Sequence, residues 1–182
     1  MKSKLDLINY INQENQVEYL FFWGHQPNQD GSINKSCLSQ WYEARFKLDG
    51  IHYQTAEHYM MAEKARLFND EDILPQIIAA KNPGSAKKLG RKVKQFNQEK
   101  WIDNRFEIVI KGNVEKFRQN PELEQFLINT GSKILVEASP NDGIWGIGLE
   151  QTNPDCLNLY KWQGLNLLGF ALMEARNILN SN

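Results

Sequence analysis

Residues 54–68, Gln-Thr-Ala-Glu-His-Tyr-Met-Met-Ala-Glu-Lys-Ala-Arg-Leu-Phe, hold neither Gly nor Pro and are rich in Ala, Met, Glu, Lys and Arg. Such a run favours a helix over any other local structure. Thr55 fits its N-cap, because a hydroxyl there accepts a bond from an orphan amide of the first turn. At about 100° per residue, Ala56, Met60, Met61, Leu67 and Phe68 share one apolar stripe, and His58, Ala62 and Arg66 lie on the other side. Glu57 and Lys64 fall inside the stripe, roughly 10 Å apart along the axis. An unpaired buried charge costs several kcal/mol. Either each of the two finds a structural partner, or both are aimed into a cleft.

The flanking sequence surrounds this helix with others. Residues 3–14 fit a short amphipathic helix using Leu5, Ile8 and Ile11, an N-terminal extension (1–18) packed on a main domain (19–182). Tyr19 to Trp23 has strand character. Phe46 to Tyr53 reads as a hairpin turning at Asp49-Gly50, a type I′ signal. Asp70 to Ala80 is loosely helical. Asn82-Pro83 starts a further helix, which carries Lys87, Lys88, Arg91, Lys92 and Lys94 and, at Gly90, a residue that asks for a close helix contact or a ligand. That basic run is either a solvated face or a phosphate-facing one. Trp101 to Phe117 is amphipathic, with Ile102, Phe106, Val109, Ile110 and Phe117 as its stripe and Arg105 at the edge. Asn120-Pro121 opens another helix that Thr130-Gly131 closes. Residues 134–138 form a short buried strand, Pro140 to Gly143 a turn, and about 164–179 the last helix.

A net charge of −1 over 182 residues provides no global basic field for bulk nucleic-acid binding. Cys37 and Cys156 are far apart and the three histidines do not cluster, so no zinc-like spacing exists. No run is apolar and long enough for a signal peptide or a membrane span, which points to the cytoplasm.

Set in order, these motifs give a resemblance. Ser39 and Trp41-Tyr42, Asp49-Gly50, Tyr53, Glu57-His58-Tyr59 with Lys64-Ala65, and Gly90-Arg91 form its first half. Trp101, Arg105, Lys116-Phe117, Leu127, Thr130-Gly131 and Leu135-Val136-Glu137 continue it. Asp142, Trp145-Gly146-Ile147-Gly148, and Gly164, Asn166, Leu168-Gly169, Leu172-Met173 and Arg176 close it. Over about residues 19–180 the chain resembles the YbiA-like, or NADAR, family of N-glycosidases. The resemblance implies a mostly α (α+β) fold, a single compact multihelical domain with a few short strands. It implies hydrolysis of an N-glycosidic bond between ribose and a base or amine, with water as co-reactant and no metal or cofactor. Two substrate classes go with the family: ADP-ribose attached to guanine, free or in nucleic acid, and phosphoribosylamino-pyrimidine intermediates of riboflavin synthesis. Ile147 stands where some riboflavin-type members carry Asp, which inclines the reading to ADP-ribosyl-guanine. The rival of another class is an NAD- or ADP-ribose-binding module without chemistry. No stable protein partner is expected.

Glycoside cleavage needs a proton donor for the leaving group and negative charge near the anomeric carbon, work that paired carboxylates do. Glu57 and Asp142 are the pair chosen here. Lys64 offers a second route, attack of a neutral amine on a ring-opened sugar to give a Schiff base. Trp145 either stacks on the base or packs in the core, and Arg105 binds phosphate or pairs with a surface carboxylate. Asn166 bonds the ribose or caps the last helix, and Ser39 touches substrate or holds a turn. Gly146 lets backbone amides approach closely.

Overall fold

The computed structural model describes residues 1–181. The elements run α1 (Lys4–Ile11), β1 (Tyr19–Phe22), β2 (Phe46–Leu48), β3 (Ile51–Tyr53), α2 (Ala56–Leu67), α3 (Leu74–Ile78) and α4 (Pro83–Gly90). They continue with α5 (Gln98–Arg118), α6 (Pro121–Asn129), β4 (Ile134–Glu137) and α7 (Leu167–Asn180), with three short 3-10 turns between. The mostly helical fold with a few short strands expected from the sequence is the one observed.

At the centre, β1 pairs with β4 in parallel, Tyr19 opposite Ile134 and Phe22 opposite Glu137. Helix α7 packs on β4 and on α5, and α5 in turn carries α2. Phe22, Leu135, Val136, Phe117, Phe170 and Leu172 are wholly buried there. Strands β2 and β3 form the separate hairpin, Phe46 opposite Tyr53, and both turn residues are left-handed (Asp49 φ 50°, Gly50 φ 82°) as a type I′ turn demands. α1 seats Leu7 in the core and the Met1 amine lies 3.1 Å from Glu174.

Five details depart from the sequence reading. α2 is buried on almost every side, because α3 and α4 cover the face opposite its apolar stripe. His58 and Ala62 are therefore wholly buried, and the His58 ring bonds Thr55 Oγ1 (2.8 Å) and the Ala80 carbonyl (3.1 Å). In α5 the inward face holds Trp101, Arg105, Val109, Ile110, Asn113 and Phe117, while Ile102 is 45% exposed. Only Leu74–Ile78 of the 70–80 stretch is helical, and α7 starts three residues later than the sequence suggests. The basic helix ends at Gly90, with Arg91 as its C-cap and Lys92 and Lys94 beyond it. Gly90 serves a helix contact: a Cβ there would collide with the Met61 side chain of α2.

Candidate active site

The N-terminus of α2 is held by backbone bonds from two directions. Thr55 caps it by accepting the His58 N–H, and the Glu57 N–H donates to the Gln40 carbonyl at 3.0 Å. Gln40 follows a segment pinned by Lys116 of α5. That lysine is fully buried and donates to the Cys37 carbonyl (2.6 Å) and the Ser39 carbonyl (2.8 Å). Asn113 adds a bond to the Gln40 side chain at 2.8 Å. These contacts fix where Glu57 points, and also place Trp41 beside it, its indole N–H facing the Glu57 carboxyl.

Glu57 opens onto a cavity of about 310 Å³ walled by Met60, Met61 and Lys64 of α2, Lys87 of α4, Arg91, Trp101 of α5, and Asn141 to Trp145. Glu57 is 2% exposed and its Oε1 has no partner among the described residues. Burial, reinforced by the Asp142 charge and opposed by Lys87, pushes its carboxyl up to about 7. Asp142 enters on the turn before residue 143. Its Oδ1 accepts the N–H groups of Ile144 (2.9 Å) and Trp145 (2.8 Å), and its Oδ2 lies 4.0 Å from Lys87 Nζ. The turn thus aims one oxygen at its own backbone and leaves the other for the cavity.

Glu137, at the end of β4, is a third acid that the sequence reading did not choose. Its Oε2 is buried without a partner among the described residues, and burial together with Asp142 and Glu57 raises its carboxyl to about 8. Lys64 Nζ sits 4.3 Å from the centre of the Phe96 ring and 5.7 Å from that of Trp101. Burial lowers its pKa, with Arg91 acting in the same direction and Glu57 against it, so its neutral amine is more accessible than that of a surface lysine.

Of the eight residues chosen from the sequence, Glu57, Lys64, Asp142 and Trp145 meet on this cavity. Arg105 lies buried one turn along α5 from Trp101, within the electrostatic reach of Asp142, and its guanidinium has no hydrogen bond or ion pair among the described residues. The other three sit behind the wall. The Ser39 hydroxyl accepts the Trp41 N–H at 3.1 Å. Asn166 does not cap α7: its amide donates to the Leu135 carbonyl (2.9 Å) and its Oδ1 accepts the Glu137 N–H (3.0 Å), which positions the end of β4. Gly146 approaches the protein's own backbone, where a Cβ would lie 2.8 Å from the Glu137 carbonyl and 3.1 Å from that of Asp142. Lys87 and Arg91 were legible only as an i, i+4 pair in a basic run. Glu137 gave one weak signal, an acid ending an apolar strand.

The NADAR domain model matches residues 21–180. An N-glycosidase of Acanthamoeba polyphaga mimivirus is 44% identical over 87% of this chain and 95% of its own length. An N-glycosidase of Nostoc punctiforme is 34% identical over 79% of this chain and 88% of its own. The solution structure of the E. coli protein YbiA superposes with a TM-score of 0.71 at 28% identity, covering 92% of this chain and 88% of that one. With a family model spanning nearly the whole chain and relatives of this identity, the chain belongs to the NADAR domain family.

Proposed function

We propose that this N-glycosidase hydrolyses the bond between a ribose and a nucleobase, and that its substrate is ADP-ribose attached to guanine. One observation carries the reading: a carboxyl that holds a proton near neutrality, Glu57, shares a small cavity with Asp142, whose outer oxygen faces Lys87, and with cations on its rim. Protonated Glu57 gives its proton to the leaving nitrogen of the base. As the bond breaks, positive charge grows on the anomeric carbon and ring oxygen, and the Asp142 carboxylate stabilises it. Water then adds to that carbon, and its proton returns to Glu57. Lys64 supplies the alternative course. Its neutral amine attacks the opened sugar and releases the base, and water later hydrolyses the imine. Lys87, Arg91 and Arg105 suit the phosphates of the substrate.

A second reading has one support. A riboflavin biosynthesis protein of Vibrio vulnificus is 30% identical over 82% of this chain, which spans 37% of that protein. The test of both is product release from guanine-ADP-ribosylated DNA and from a phosphoribosylamino-pyrimidine, by wild type and Lys64→Ala. Release of ADP-ribose by wild type and its loss in the variant is the expected result. Release from the pyrimidine alone would transfer the assignment to riboflavin intermediates.

A further inference from the structure

A second, larger cavity of about 570 Å³ adjoins the first. His25, Trp41, Arg45, Thr55, Lys81 and Pro83 are among its walls. The two cavities are lined by neighbouring residues of the same elements rather than lying on unrelated faces. Thr55 lines the larger and Glu57 the smaller, two residues apart at the start of α2. Pro83 lines the larger and Lys87 the smaller, and four residues on a helix place both on one face of α4, about 6 Å apart along its axis. Trp41 stands between them. Its indole faces the Glu57 carboxyl, Lys87 Nζ lies 5.9 Å from its ring centre, and the His25 ring lies 5.5 Å from it on the side of the larger cavity.

The chemistry of the larger cavity is that of a base and a phosphate. Trp41 is half-buried and offers an aromatic surface, and a base stacks on such a surface whatever its identity. Lys81 and Arg45 are exposed cations at the rim. Lys81 has no ion pair among the described residues, and Arg45 has only the exposed Glu43 at 3.8 Å. The smaller cavity is at the low end of the size of small-molecule sites, roughly 300–1,000 Å³, so it has room for the reacting ribose and its base and little more. A substrate with nucleotides on both sides of the scissile bond must continue beyond it.

We infer that the cavity beyond Trp41 is a nucleotide subsite, taking a nucleotide unit of the substrate that lies next to the ribosyl–base bond cut at Glu57. This rests on the proposed function. The unit has two sources with one chemistry: the adenylate half of ADP-ribose, or a neighbouring nucleotide in the strand that carries the modified guanine.

The test uses Arg45→Ala/Lys81→Ala, whose residues are exposed and outside the catalytic cavity, with Lys81→Glu as a second variant. AMP binding is measured by calorimetry. Steady-state kinetics are measured on ADP-ribosylated guanosine and on the same modification within a short oligonucleotide. The double variant is expected to bind AMP about tenfold more weakly and to raise KM by about tenfold with kcat unchanged, as loss of two phosphate contacts requires. A KM rise on both substrates identifies the adenylate, and a rise on the oligonucleotide alone identifies the strand. Equal AMP binding by wild type and both variants, or no AMP binding at all, overturns the subsite. If wild type turns over neither substrate yet binds AMP in a manner that depends on Arg45 and Lys81, the subsite stands and the proposed substrate falls.

Discussion

At the residue scale, the proposed chemistry turns on Glu57. Glu57→Gln keeps the side chain's shape and its acceptor for Trp41 but cannot deliver a proton. It is expected to lower kcat by about 10²–10⁴-fold, the usual worth of general acid catalysis. Because the carboxyl is raised to about 7, wild-type kcat should fall as pH rises through that value, and the variant should lose this limb. A variant profile with the same limb would assign it to another group. Lys64→Arg separates the two courses: it keeps the charge beside Phe96 and Trp101 but has no amine that can be deprotonated, so an imine course loses all turnover and direct hydrolysis keeps most of it. Borohydride trapping of a covalent sugar adduct is the companion measurement. Glu57 and Lys64 were legible in the sequence because each interrupts an apolar stripe of a helix without Gly or Pro. Asp142 was legible from its turn. Lys87, Arg91 and Glu137 were not, because each is locally ordinary, a basic helix face or the end of a strand, and only the tertiary fold, with α4 packed on α2, brings Lys87 and Arg91 to the cavity and Glu137 within electrostatic reach of Glu57 and Asp142.

At the element scale, the wall of the site depends on close helix contacts. Gly90→Ala forces a Cβ into Met61, which lines the cavity, so α2 and α4 must separate or Met61 must change rotamer. Overpacking of this kind costs about 1–3 kcal/mol, read as a lower Tm and, because Met61 and Lys87 shift, as a raised KM. Gly90→Ala with unchanged Tm and KM would mean that Met61 yields freely. Thr55→Ala should cost about 1 kcal/mol as a lost N-cap, and more here because it also strips a partner from buried His58. Punctuation made these elements readable: Asn82-Pro83, Asn120-Pro121 and Asp49-Gly50 each mark a boundary where the structure has one. Stripes were less readable. In α5 the inward face includes Arg105 together with Asn113 and Lys116, which bond to the 37–40 segment, and counting apolar side chains alone placed Ile102 in the stripe instead of Trp101. In α2 the buried polar His58 had the same effect, since its two partners come from the cap and from Ala80.

At the scale of the whole molecule, the acids of the site set how stability varies with pH. Burial raises Glu57 to about 7 and Glu137 to about 8. Both hold protons in the folded state at pH values where the unfolded chain has released them. Their stabilisation is complete below the ordinary carboxylate range and is lost as pH rises through 7 and 8. For Glu57 alone the span amounts to on the order of 3 kcal/mol at 1.36 kcal/mol per unit. His58 acts in the opposite sense: burial keeps it neutral, so its destabilisation in acid disappears once pH exceeds its ordinary value of 6.5. The buried Lys116 amine, lowered to about 8 by its burial, adds stability as pH rises beyond that value, so the window that isolates the carboxyls is about pH 6.5 to 7.5. Across it Tm of the wild type should fall, and in Glu57→Gln/Glu137→Gln the fall should largely vanish, with the variant the more stable protein at the upper end. An undiminished fall in the double variant would show that neither acid is buried in its neutral form, and would remove the proton on which Glu57 acts as donor. Greater stability from removing the two acids, together with lost turnover, is what a cavity built for catalysis rather than for cohesion should give.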